Sequence, residues 1–376
     1  MRKLFSSTVF TKTHIQDEIG SLTAFRFITA FVIFLSHSSL FLGLKFGVFI
    51  VDEFLRNFSI FMTGFFVLSG YILSHLYSER DFTQKDEIRS FYLKRLARLY
   101  PVYAVTTFVF FCFFSPFDFT SFDWLRVFIN DIFLTQGFFP NVSDLGINCI
   151  TWSVSVEAFF YLLFPLIMVL FRTRPLFLLL ISLLISLIIS VNIVGDINTQ
   201  QESMKKLAFY YASPLFRINE FMLGISFNLF VKKNKFNFIP KILQSIALVM
   251  FFILALAISP LSSEKYSHMG ANLLLVPLFG LLIINFHHLK RGFFKDSICL
   301  RFLGKISYSF YLWQFIAIVL GLVLRKILDI SPLCAVMIIL PFNIVLSTFS
   351  YHFLEEPCRK LILKNFTSKL SQLQYQ

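Results

Sequence analysis

The sequence predicts an all-α fold, a polytopic bundle of about ten membrane-spanning helices with both termini in the cytoplasm. Three observations carry that expectation. Of 376 residues, 57% are hydrophobic and only 15% charged, and the mean hydropathy is +0.74. A soluble domain needs far more charge on its surface. Apolar runs of bilayer-crossing length recur along the whole chain. Finally, Lys and Arg alternate in density between successive loops. The net charge of +13 would point to nucleic acid in a soluble protein. Here it follows the positive-inside bias of membrane proteins, so no nucleic-acid partner is expected. The five cysteines are scattered without CxxC spacing, so neither a disulfide framework nor a metal site is expected.

The spans fall at roughly 22–42, 58–77, 99–115, 152–171, 175–194, 207–231, 241–259, 270–287, 301–324 and 332–354. Pro101 and Pro175 each stand where a span is expected to start, a position at which the missing N–H costs nothing. The first twenty residues have no apolar core and do not read as a cleavable signal, so the first span serves as the insertion signal. With the N-terminus inside, the inner segments hold 23 of the 34 Lys and Arg and the outer segments 8. Arg26, Arg217 and Lys305 lie within spans. That asymmetry sets both termini inside, and the expected location is a bacterial inner membrane. It divides into a cytoplasmic tail (1–20), a membrane domain (21–357) and a second cytoplasmic tail (358–376). The longest outer segment, 116–151, mixes Phe117, Phe119, Phe122, Trp124 and Phe128 with Asp118, Asp123, Asp131 and Asp144. It reads as an amphipathic stretch in the membrane interface, or as an aromatic and acidic surface for sugar hydroxyls.

Ionisable residues within a bilayer are costly and therefore mark candidate sites. Of seven histidines, only His37 lies within an apolar helix away from its ends. Arg26 precedes it by eleven residues, which returns a helix to within about 20° of the same face, roughly 16 Å away. Glu157 is expected at the depth of His37, about five residues below the outer surface, where the two form an acid/base pair for activating a hydroxyl. Ser153 shares the face of Glu157. Arg95 and Arg98 stand one turn apart at the cytoplasmic membrane surface, where paired guanidiniums suit a polyphosphate or anionic lipid. Arg217 and Glu220, three residues apart, read as a self-neutralising pair. Glu355 and Glu356, before Pro357, are positioned to pair with Arg359 or the basic inner loops.

Together these segments resemble the acyltransferase-3 family of membrane-bound acyltransferases. The resemblance covers about residues 20–360 and rests on seven blocks in order. Arg26 and His37 match the family's arginine–ten residues–histidine pattern, and Phe65-Phe-Val-Leu-Ser69-Gly70 its FFVLSG signature. Arg95 and Arg98, followed by Tyr100-Pro101, match an arginine pair. Ser153 and Glu157 match a serine–glutamate spacing continued by Phe160-Tyr161 and Phe164-Pro165. The last three are Arg217-Ile-Asn-Glu220-Phe-Met-Leu-Gly224, Gly304-Lys-Ile-Ser-Tyr308-Ser-Phe-Tyr311-Leu-Trp313 and Glu355-Glu-Pro357. Where the family often has histidine after the tryptophan, this chain has Gln314, so no catalytic role is assigned there.

The resemblance implies a ten-span core and an acyl-CoA donor, with no permanently bound cofactor. The expected reaction moves an acyl group, in the first place acetyl, onto a hydroxyl of a surface polysaccharide, lipopolysaccharide or other glycolipid. His37 and Glu157 are the expected catalytic residues, and Arg26, Arg95 and Arg98 hold the coenzyme. Ser69, Ser153, Arg217, Glu220, Tyr308 and Glu355 bind substrate or support the site. A non-enzymatic flippase or transporter of a glycan or lipid intermediate would also explain ten spans and buried charge, but not seven ordered blocks. A glycosyltransferase would need acidic clusters on a sizeable loop, and none is evident. An acyltransferase motif of His-x4-Asp is excluded, because no histidine has Asp five positions on.

Overall fold

The computed structural model describes residues 20–56, 60–114, 123–139, 148, 150–197, 209–233, 271–289 and 293–373. Thirteen helices follow one another in these segments: α1 (Gly20–Leu42), α2 (Phe49–Arg56), α3 (Phe61–Tyr77), α4 (Lys85–Phe114), α5 (Asp123–Ile132), α6 (Trp152–Phe171), α7 (Pro175–Ile197), α8 (Pro214–Lys232), α9 (Asn272–His288), the single turn α10 (Phe293–Asp296), α11 (Ile298–Leu328), α12 (Pro332–Ser350) and α13 (Glu356–Leu373). A π-helical turn, Tyr351–Glu355, joins the last two. No strand occurs among the described residues.

Among the described residues six helical stretches are long and apolar enough to cross a membrane: Gly20–Leu42, Lys85–Phe113, Trp152–Phe171, Pro175–Ile193, Ile298–Leu328 and Pro332–Asn365. α3 and α9 are shorter apolar helices. The expected span 241–259 lies outside the described residues, as do Phe117, Asp118, Phe119, Phe122 and Asp144. α6 shows why a membrane is the fitting solvent. Leu162, Leu166 and Val169 repeat along one face and are 60%, 55% and 49% exposed. Such a stripe has no place in water, whereas lipid tails are as apolar as the side chains themselves.

One expectation is corrected in α4. Pro175 does open its helix, but Pro101 lies inside a continuous helix of 30 residues. The basic run before Pro101 and the apolar run after it are one element, and Ala97 loses its helical N–H donor. Arg95 and Arg98 are therefore carried half-buried into the bundle, not left on its surface.

Two helix seams hold the site's walls in place. α3 and α8 cross where Gly70 and Gly224 meet. A Cβ on Gly70 would lie 2.1 Å from the Phe221 carbonyl oxygen, and one on Gly224 2.0 Å from that of Val67. Small residues let backbones approach in this way inside membranes, where packing is what drives association. Farther along the seam, the buried Arg217 and Glu220 pair at 3.2 Å, and Thr63 bridges them. Arg217 also stacks on Phe66 and Tyr211 at 5.0 and 5.2 Å. In the second seam α11 packs on α1 and α12. Phe310 contacts Phe27 and Phe34 at 5.4 and 5.6 Å, and Asn343 donates to the Phe310 carbonyl at 3.1 Å.

The close crossing predicts that Gly70→Val unseats α3 from α8. Overpacking of this kind costs about 1–3 kcal/mol, and more when the obstacle is backbone. Thermal unfolding of the solubilised variant, followed by size-exclusion fluorescence, should show a lowered midpoint. A wild-type midpoint would mean that the two helices do not approach so closely.

Candidate active site

Five helices converge on one cleft. α1 contributes Arg26, and α3 contributes Phe65, Leu68, Ser69, Ile72 and Leu73. α4 contributes Arg95, Arg98 and Leu99, α6 contributes Glu157 and Tyr161, and α11 contributes Tyr308. Helical spacing explains the grouping. Arg95, Arg98 and Leu99 share one face of α4, as Glu157 and Tyr161 share one face of α6.

Each charged side chain is held by specific neighbours. The Arg95 guanidinium lies 5.3, 5.9 and 5.8 Å from the rings of Tyr77, Phe91 and Tyr161. It also donates to the Tyr77 hydroxyl at 3.0 Å. Arg26 is attracted by Glu157 and Glu355 and repelled by Arg98. Arg98 is attracted by the same two carboxylates, with Tyr161 and Tyr308 also close. Glu157 accepts a hydrogen bond from the hydroxyl of Tyr161, one turn along α6. Tyr308 crosses the cleft to donate to the Leu99 carbonyl at 2.6 Å.

Glu355 enters this arrangement from the far end of the chain. It ends the π-helical turn, is only 5% exposed, and accepts from Ser309 at 2.8 Å. The extra residue of a π turn shifts the direction of the side chains that follow, a device often found at functional sites. Neighbouring Glu356 turns instead to Arg359 at 2.8 Å and Lys360 at 3.5 Å. The two adjacent glutamates thus part company, one inward and one outward.

Past Glu157 the cleft meets a smaller cavity, with which it shares Phe65, Glu157 and Tyr308. Met62, Phe66, Ser153, Val154 and Tyr311 complete that cavity's wall. Ser153 and Tyr311 share a hydroxyl–hydroxyl bond of 2.8 Å, and Tyr311 also reaches the Ile150 carbonyl at 3.0 Å. Tyr161, Glu157 and Ser153, spaced four residues apart, line a polar edge of α6 that runs from the cleft into this cavity.

The structure therefore brings Arg26, Ser69, Arg95, Arg98, Glu157 and Tyr308 onto one cleft, with Glu355 behind the arginines and Ser153 in the adjoining cavity. Arg217 and Glu220 belong to the α3–α8 seam. His37 is half-buried and about three turns beyond Arg26 along α1. Its ring lies 6.2 Å from that of Phe41, which packs edge-on to Phe315 at 5.1 Å. His37 is not on the cleft wall, and Glu157 shares the chamber of Arg26. Two participants carried no mark among the candidate residues. Tyr161 was detectable as the i+4 neighbour of Glu157, whereas Tyr77 reaches Arg95 from another helix and had no local signal.

Three guanidiniums against two carboxylates leave the cleft with an excess of positive charge inside a poorly polar bundle. Such a site favours anionic groups, both phosphates and the oxyanion that develops in acyl transfer. Comparison with known proteins agrees with that chemistry. The family described as an acyltransferase domain, acyltransferase-3, matches residues 19–352. The acyltransferase MdmB of Streptomyces mycarofaciens is 26% identical over 320 residues, 81% of this chain and 80% of its own. A provisionally named O-acetyltransferase of Staphylococcus aureus strain COL is 26% identical over 79% of this chain, which spans 52% of that protein's length. An uncharacterized protein of Haemophilus influenzae is 25% identical over 60% of this chain and 97% of its own length. No solved structure matches the chain. With helical walls that fit a bilayer, an arginine-lined cleft and a family match across nearly its whole length, the chain belongs to the acyltransferase-3 family of membrane acyltransferases.

Proposed function

We propose that the protein transfers an acetyl group from acetyl-CoA to a hydroxyl of a bacterial surface glycan or glycolipid. The observation that carries this reading is the cleft in which Arg26, Arg95 and Arg98 converge beside Glu157. A ligand with several phosphates and a long arm fits such a cleft better than a neutral lipid does. The coenzyme's phosphates pair with Arg95 and Arg98, and its arm runs along the Arg26 face of α1 towards His37.

His37 takes the proton from the acceptor hydroxyl as its oxygen attacks the thioester carbonyl. The new carbon–oxygen bond forms, the carbon–sulfur bond breaks, and the coenzyme leaves as a thiolate that recovers the proton. A transient acyl-histidine is a variant of the same scheme, with the imidazole as first nucleophile. Glu157 orients the polar edge that leads to the thioester, and Arg26 steadies the developing oxyanion. In this reading the chain crosses an inner membrane ten times, with both termini inside, and the acceptor approaches from the outer face. The names of the relatives, an acyltransferase and an O-acetyltransferase, support the same reaction class.

Two experiments test it. Acetyl-CoA titration of membranes carrying Arg95→Lys/Arg98→Lys should raise the apparent KM about tenfold or more, since each charge-assisted bond contributes about 1.5–3 kcal/mol. A point charge cannot reproduce the bidentate guanidinium fork. Wild-type kinetics would remove the coenzyme from this cleft. His37→Ala should leave expression normal and reduce transfer below a tenth of wild type. Retention of more than that would exclude His37 as base or acyl carrier.

A further inference from the structure

Outside the cleft, an open groove lies between the turn joining α6 to α7 and the end of α8. Its polar end is formed by Thr173, Arg174 and Lys233, and its apolar length by Leu176, Phe177, Leu180 and Phe230. Among the described residues no acidic side chain lines it. The nearby cations differ in what occupies them. Arg172 is spent on the carbonyls of Ser78 and Arg80 at 3.5 and 3.3 Å. Lys232 bonds the His75 carbonyl at 3.0 Å and faces Glu79 at 3.7 Å. Lys233, by contrast, makes one hydrogen bond among the described residues, to the Thr173 carbonyl at 3.2 Å, which leaves ammonium protons to spare there. The Arg174 guanidinium has no partner among the described residues.

A third positive element adds to these two. α7 starts at Pro175, and its first intrahelical donor is the Leu178 N–H, which bonds the Arg174 carbonyl. The N–H groups of Leu176 and Phe177 are thus left for an outside acceptor, at the positive end of a helix of 23 residues. Directly beyond, Leu176, Phe177 and Leu180 are 59%, 54% and 54% exposed and continue the apolar wall of α7. Positive charge therefore meets apolar surface at one end of α7, the pairing that a phospholipid's headgroup and tails present.

We propose that this groove seats an anionic phospholipid. The phosphodiester lies between Arg174, Lys233 and the α7 N-terminus, and the acyl chains lie along Phe177, Leu180 and Phe230. A zwitterionic lipid brings its own cation to the same place and loses most of the attraction. The site is independent of the acyl-transfer reading and is tested without an activity assay.

The test is lipid retention by the purified full-length chain, measured by native mass spectrometry with dioleoyl phosphatidylglycerol against dioleoyl phosphatidylcholine. Each basic residue near a membrane surface favours anionic lipid about fivefold. The wild type should retain phosphatidylglycerol preferentially, and Arg174→Gln/Lys233→Gln should lose that preference by roughly 25-fold at an unchanged melting temperature. Arg301→Gln, which removes a charge elsewhere, should leave it intact. Equal retention of both lipids by the wild type would overturn the proposal. So would an unaltered preference in the double variant, or an equal loss with Arg301→Gln.

Discussion

Mutual compensation of charge within the bundle is the constraint on which the site depends. An arginine in a medium of low dielectric is tolerable only where carboxylates, hydroxyls or aromatic faces replace its water. Arg26 and Arg98 draw on Glu157 and Glu355, and Arg95 rests among Tyr77, Phe91 and Tyr161. These partners come from α1, α3, α4, α6 and the π turn after α12, so the cleft exists only when all of them are docked. The residual positive charge is then available to a ligand. Removing one carboxylate would leave Arg26 and Arg98 to share the other.

The rest of the bundle reads as support for that arrangement. The α3–α8 seam, closed by Gly70 and Gly224 and locked by Arg217, Glu220 and Thr63, fixes the helix that carries Phe65 and Ser69. The α1–α11 seam fixes Arg26 opposite Tyr308 through the Phe27, Phe34 and Phe310 contacts. Tyr308 in turn anchors α11 to α4 through the Leu99 carbonyl, next to Arg98. Positioning and chemistry thus use the same helices at adjacent turns.

Much of this was legible from local pattern. Apolar length marked the helices, i+3 spacing paired Arg217 with Glu220, and helical spacing set Ser153 and Glu157 on one face. What was not legible depended on geometry that no local pattern records. A proline after a basic run normally marks a boundary, so Pro101 read as the start of a span. Packing of α4 against α6, α11 and α13 outweighs the one lost hydrogen bond and carries the helix through. That continuity moves Arg95 and Arg98 from the surface into the cleft. The inward turn of Glu355 was likewise hidden, because a π turn redirects a side chain without any composition signal. The shared depth of His37 and Glu157 rested on counting residues from the membrane surface, whereas the structure places Glu157 with Arg26.

In the proposed reaction the arginine cleft holds the acyl donor and points its thioester along α1. The most direct measurement is a cryo-EM structure of the protein in lipid nanodiscs with a non-hydrolysable acetyl-CoA analogue. Coenzyme phosphates should lie within hydrogen-bonding distance, about 3 Å, of Arg95 and Arg98, with the acyl end beyond Glu157 towards His37. Coenzyme bound on another face, with the cleft still closed around Arg26, would contradict it.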